Sequence, residues 1–177
     1  MATAMKQLQE EFGAKTVTGV SPLLLGNCTQ LSDLSTRALV RLSTVARCRM
    51  VYEGETIFAQ KARAGRVYLL LDGTIELSRM DASGQKDSYE VIAAYATFGD
   101  VVLLGEGRRR YTATAKQDSL IVEVPLQPLQ VELESNPPQA LAWRGSIMAR
   151  LHRKEPGQVD TFGWRILGKL SEMFPAA

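Results

Sequence analysis

The sequence predicts a mainly β fold with flanking helices: an antiparallel β-roll or jelly-roll-like barrel, with N-terminal helices before it and a long C-terminal helix after it. Two observations carry this. Between Arg49 and Val124 the apolar residues recur in short runs of period two, separated by turn dipeptides at close and fairly even spacing. On either side of that region the period is helical, at three and four residues.

Met1, Met5, Leu8 and Phe12 are spaced for a short amphipathic helix over 1–16, and a connector around Ser21-Pro22 follows. Ser32 then stands as the N-cap of a helix that places Leu34, Ala38, Leu42 and Val45 on one face. Strands are expected at 49–52, 56–59, 67–71, 74–77, 89–93, 111–115 and 120–124. Glu53-Gly54, Ala64-Gly65, Asp72-Gly73, Ser83-Gly84 and Gln117-Asp118 reverse the chain between them. After Pro125, residues 126–134 read as a short helix. Pro137-Pro138 opens a longer one to about Lys154, with Ala140, Trp143, Ile147 and Leu151 in one stripe. Glu155-Pro156-Gly157 ends it, and Phe162, Ile166, Leu170 and Phe174 mark a last amphipathic piece. The expected organisation is a helical extension and connector over 1–30, the β-roll with its C-terminal helix over 31–153, and a tail over 154–177.

Composition bounds the function. With 177 residues, 45% hydrophobic and 23% charged, the chain suits one domain with a real core. A net charge of +2 without a basic tail gives little reason to expect nucleic acid as a partner. The longest near-apolar run, Val67–Leu71, is strand-sized, and the N-terminus lacks a hydrophobic segment followed by a cleavage site. A cytoplasmic protein that does not enter a membrane is expected. Cys28 and Cys48 have no CxxC spacing, so reduced thiols are the default. His152, the single histidine, sits at the end of a helix, and no nucleophile elbow is present. The expectation is therefore a chain that is not an enzyme and carries no metal or cofactor.

The stretch 98–113, FGDVVLLGEGRRRYTA, interrupts the roll. Gly99 can open a single helical turn, Val101 to Leu104, whose first amides lack intrahelical partners and offer an anion site. Arg108, Arg109 and Arg110 arrive on the following strand as candidate cationic forks. The aliphatic residues would bury the turn while the arginines meet a phosphate. Two other readings stay open: arginines merely solvated or paired with acids such as Glu106, and a nucleic-acid patch, although only Tyr111 interleaves them.

These residues resemble the cyclic-nucleotide-binding domains of catabolite-activator-type regulators and cyclic-nucleotide-dependent kinases. That family's phosphate-binding cassette runs Phe-Gly-Glu, an aliphatic, Ala and Leu, then a spacer and commonly Pro-Arg. Here Phe98 and Gly99 match, Asp100 falls on the Glu, Val101 on the aliphatic, Val102 on the Ala and Leu103 on the Leu. Arg108 takes the Pro position and Arg109 that of the phosphate-binding Arg. Upstream, Gly54, Glu55, Ile57, Phe58, Tyr68 and Gly73 are similar to the family's first hairpins, so the likeness runs over residues 30–153. Lys61-Ala62 replace the usual Gly-Asp turn.

The resemblance implies a sensor binding cAMP or cGMP, with Gly99–Leu104 amides and Arg109 on the phosphate and Asp100 on the ribose hydroxyl. Val102 adds two methyl groups where the phosphate approaches, and Arg110 stands where a small residue often meets the base. Trp143 would cap a purine, sit in a dimer seam, or simply pack on the roll. The 139–153 helix would close over the base, form a homodimer and signal to a protein partner not named by the sequence. Those regulators often carry a DNA-binding domain after this helix. Residues 154–177 are too few for one, so no direct sequence-specific DNA binding is expected. The alternative is a degenerate domain kept for dimerisation or docking.

Overall fold

A computed structural model describes residues 16–154. The helix expected over 1–16 and the tail over 154–177 lie outside the described residues, apart from Thr16 and Lys154. The elements in chain order are β1 Thr16–Thr18, α1 Pro22–Gly26, α2 Thr36–Val45, β2 Arg47–Val51, β3 Thr56–Phe58, β4 Arg66–Asp72, β5 Ile75–Met80 and β6 Lys86–Ile92. They continue with β7 Thr97–Phe98, a 3-10 turn Asp100–Leu104, β8 Thr112–Ala115, β9 Ser119–Pro125, α3 Leu126–Glu134 and α4 Pro137–Lys154. The strands form two antiparallel sheets, ordered β1-β2-β9-β4-β7 and β3-β8-β5-β6, which is the expected β-roll.

Strand β4 lies between β9 and β7 in the larger sheet. Val67 to Leu71 are all buried, so alternation is lost and both faces of the strand are covered. It turns into β5 at Gly73, whose φ of 100° lies in the left-handed region that a side chain rarely adopts. In α4 the predicted stripe is the buried one: Ala140, Trp143, Ile147 and Leu151 are between 0% and 4% exposed. That face packs on the chain's own domain.

The structure corrects several boundaries. The N-cap of α2 is Ser35, whose hydroxyl accepts from the Ala38 N–H, and not Ser32. Ser32 belongs to the preceding turn, where its N–H donates to the Cys28 carbonyl and its hydroxyl to that of Thr29. Leu34 is buried but lies before the helix, and Val45 is exposed, so only Ala38 and Leu42 hold the expected face. The Ser21-Pro22 connector is itself helical, with Pro at the first position of α1. Strand β6 starts at Lys86, earlier than expected. Arg41 of α2 and Glu132 of α3 clamp the helices together by two bonds of 2.6 Å.

Candidate functional site

Strand β7 ends at Phe98, and the chain must then leave the sheet within one residue. Gly99 makes this possible at φ 70°, with no Cβ in the way, and Gly105 closes the 3-10 turn at φ 89°. Asp100, Val102, Leu103 and Leu104 are buried, while Val101 is half-buried, so the aliphatics do seat the turn. An added Cβ at Gly99 would stand 2.6 Å from Arg109 Nη1. Glycine is therefore needed both for the turn and for the arginine behind it.

Arg109 points inward and is 6% exposed. Its Nη1 donates to the Gly99 carbonyl at 2.8 Å and its Nη2 to the Arg66 carbonyl at 2.7 Å. The guanidinium carbon lies 4.2 Å from the Phe58 ring centre and 5.3 Å from that of Tyr68. Phe98 stacks on Tyr68 at 5.1 Å, so the fork lies against an aromatic cluster. Its Nε has no hydrogen-bond partner, and no carboxylate of the described residues is within ion-pair distance. Burial accordingly holds its pKa below the usual guanidinium value.

Asp100 is 1% exposed and fully engaged by α4 and β7. Arg150 Nη2 donates to Oδ1 at 2.5 Å, and Trp143 Nε1 and Thr97 Oγ1 each donate to Oδ2 at 3.2 Å. Arg144 Nε donates to the Leu103 carbonyl at 3.0 Å, so α4 grips the turn at three places. Trp143 and Arg150 are two helical turns apart and face the same way. Burial alone would lower the Arg150 pKa, but the charge and hydrogen bond of Asp100 more than offset it, with Glu90 adding to the effect.

This arrangement bears on two expected roles. Asp100 lines the cleft, but Arg150 holds one of its carboxylate oxygens and Trp143 and Thr97 hold the other, so a ribose hydroxyl would have to compete with them. Trp143, 2% exposed, packs on the roll with its indole N–H donating to Asp100, which is the packing role among the three that the sequence left open. Arg110 pairs with Glu106, Nε to Oε2 at 2.8 Å, as one of the open readings had it. Arg108 is exposed, and Tyr111 is buried against Tyr89 with ring centres 4.1 Å apart. Sequence reasoning missed Arg150 and Arg144. Their one local signal is that they flank the same stripe as Trp143.

The turn, Arg108–Tyr111, Phe58, Leu77, Tyr89, Glu90 and the end of α4 surround one cleft. It has about 420 Å³ of empty space, part of it open to solvent. Val102 and Leu151 are among the side chains that keep it tight. Among the described residues no group of histidine, cysteine or acidic side chains is placed to hold a metal ion. No helix among them is long and apolar enough to cross a membrane.

The roll is thus interrupted by a glycine-capped turn with a buried arginine behind it. The family model described as "Cyclic nucleotide-binding domain" matches residues 48–136, and the chain belongs to that family. The global nitrogen regulator of Synechococcus elongatus is 31% identical over 117 residues, covering 65% of this chain and 52% of the relative. The cyclic AMP receptor protein of Thermus thermophilus is 31% identical over 99 residues, covering 56% and 43%. The chain thus spans about half the length of the curated relatives it matches. Among solved structures, the sensor domain of the transcriptional regulator DNR from Pseudomonas aeruginosa superposes with a TM-score of 0.67 at 24% identity, covering 76% of this chain and 91% of that one. That likeness shows the fold, and two of the three proteins named are called regulators.

Proposed function

We propose that the chain is an effector-sensing domain whose ligand is a cyclic purine nucleotide, cAMP before cGMP, and which passes the signal to a protein partner through α4. One observation carries this: Arg109 is a buried cation with no acidic partner among the described residues and an unpartnered Nε. An uncompensated buried charge costs several kcal/mol, and a phosphodiester between the Gly99–Leu104 amides and Arg109 would offset it. The departures set the route of the signal. Asp100 is held by α4, so a ligand whose ribose needs that carboxylate competes with Arg150 and Trp143 and frees the helix. Binding and helix release are then one equilibrium.

Calorimetric titration and thermal melting with cAMP and cGMP test this. Binding should raise the melting temperature by mass action, and Arg109→Ala should weaken it by roughly 100-fold. A second reading is favoured by the same geometry: the Arg109 fork is filled by the Gly99 and Arg66 carbonyls, as in a domain kept for docking or dimerisation. Because Arg109 holds two carbonyls, its loss lowers stability in either case. The wild-type titration decides: no heat and no shift at millimolar nucleotide leaves only the docking role.

A further inference from the structure

The segment between β3 and β4 runs beside residues 107–110, and the pairing there is irregular. The Lys61 N–H donates to the Arg109 carbonyl at 2.8 Å and the Arg109 N–H to the Ala62 carbonyl at 2.8 Å. Two residues thus oppose one, a bulge whose first member, Lys61, sits at φ 69°, where glycine is customary. The Ala64 N–H donates to the Gly107 carbonyl at 3.1 Å, and Arg63 and Arg108 are bridge partners. With the bonds on either side of them, Arg63 and Arg108 form a non-hydrogen-bonded antiparallel pair, the kind whose side chains come closest. Like charges placed directly opposite repel.

Arg108 Nη1 donates to the Lys61 carbonyl at 2.9 Å, but no acid among the described residues relieves that repulsion. Lys61, Arg63 and Arg108 are exposed, and no carboxylate there lies within ion-pair distance of them. Arg110 has Glu106, and the two acids facing the cleft, Glu90 and Asp100, both face Arg150. Arg108 also lines the cleft that holds Arg109, so the pair stands at its mouth. A tight cleft with a bulge-positioned cationic rim suits a ligand that enters with one anionic group and keeps another outside.

We propose that Arg63 and Arg108, with Lys61, form a second phosphate subsite, and that the effector is a purine nucleotide carrying two phosphate groups. The proposal rests on the Arg109 reading above. It replaces the one-phosphate ligand of that reading with a two-phosphate class, of which a cyclic dinucleotide is the member that keeps phosphodiester linkages.

The test titrates full-length protein with cAMP, with cyclic di-AMP and cyclic di-GMP, and with adenosine 3′,5′-bisphosphate, in parallel with Arg63→Gln. The Arg63 side chain makes no hydrogen bond or ion pair among the described residues, so this variant should melt no lower than wild type. A two-phosphate ligand should bind about tenfold or more tighter than cAMP, and Arg63→Gln should bring it to the level of cAMP. Whether a cyclic dinucleotide or the bisphosphate shows the gain distinguishes two linked nucleotides from two phosphates on one. If cAMP binds and no two-phosphate ligand exceeds it, or if the gain survives Arg63→Gln, the second subsite is overturned while the Arg109 site stands. If nothing binds, both fall.

Discussion

Asp100→Ala should lower the melting temperature by roughly 6 to 12 °C, because it leaves two groups on α4 without their acceptor. The Arg150 side chain is only 20% exposed, and the carboxylate it loses is buried beside it. Removing one partner of a buried ion pair costs about 3 to 5 kcal/mol, and the lower end applies because water reaches part of Arg150. The Trp143 indole N–H loses its acceptor as well. Asp100→Asn separates the two losses, since an amide oxygen can still accept from Trp143 but carries no charge for Arg150. Combining Asp100→Ala with Arg150→Ala should recover part of the deficit, the mark of direct coupling. A single variant melting within a degree or two of wild type would show that α4 does not depend on this contact.

Gly73→Ala should be at least as damaging, on the order of 3 kcal/mol or more, and for a different reason. The backbone there has φ 100°, and an added Cβ would lie 2.1 Å from Ser119 Oγ and 2.7 Å from Ser119 Cα. Ser119 cannot turn aside freely, because its hydroxyl accepts from the Thr74 N–H at 3.1 Å and donates to the Gln117 carbonyl at 2.7 Å. Gly84→Ala is the control. That residue has φ 82° with nothing within 4 Å, so it should cost only about 1 kcal/mol of backbone strain. Equal losses at the two positions, measured by denaturant unfolding, would refute the steric argument.

The roll was legible because its signals are local. Asp72-Gly73 marks a reversal whatever surrounds it, and the α4 stripe recurs at helical spacing until Leu151. Where expectation and structure differ, two local signals compete. Ser32 and Ser35 both precede apolar residues, and the choice between them is made by the Cys28 carbonyl, which takes the Ser32 N–H into a turn. Strand β7 is two residues long, too short to show a period. The Ser21-Pro22 pair is both a turn signal and a helix start, and the structure uses it as the latter. At the site, Gly99 and Arg109 could be placed from the sequence because their roles come from backbone shape and charge. The partner of Asp100 could not. Arg150 lies far along the chain, and nothing near Asp100 shows which cation will reach it.

Trp143 stands at the joint between the turn and the last helix, sealed from water with its indole tied to a carboxylate. The chain therefore carries its own fluorescent gauge. With Trp164 replaced by Phe, the emission of Trp143 should move to longer wavelength as the joint loosens, so that effector, temperature or substitution can be followed in real time without a dye.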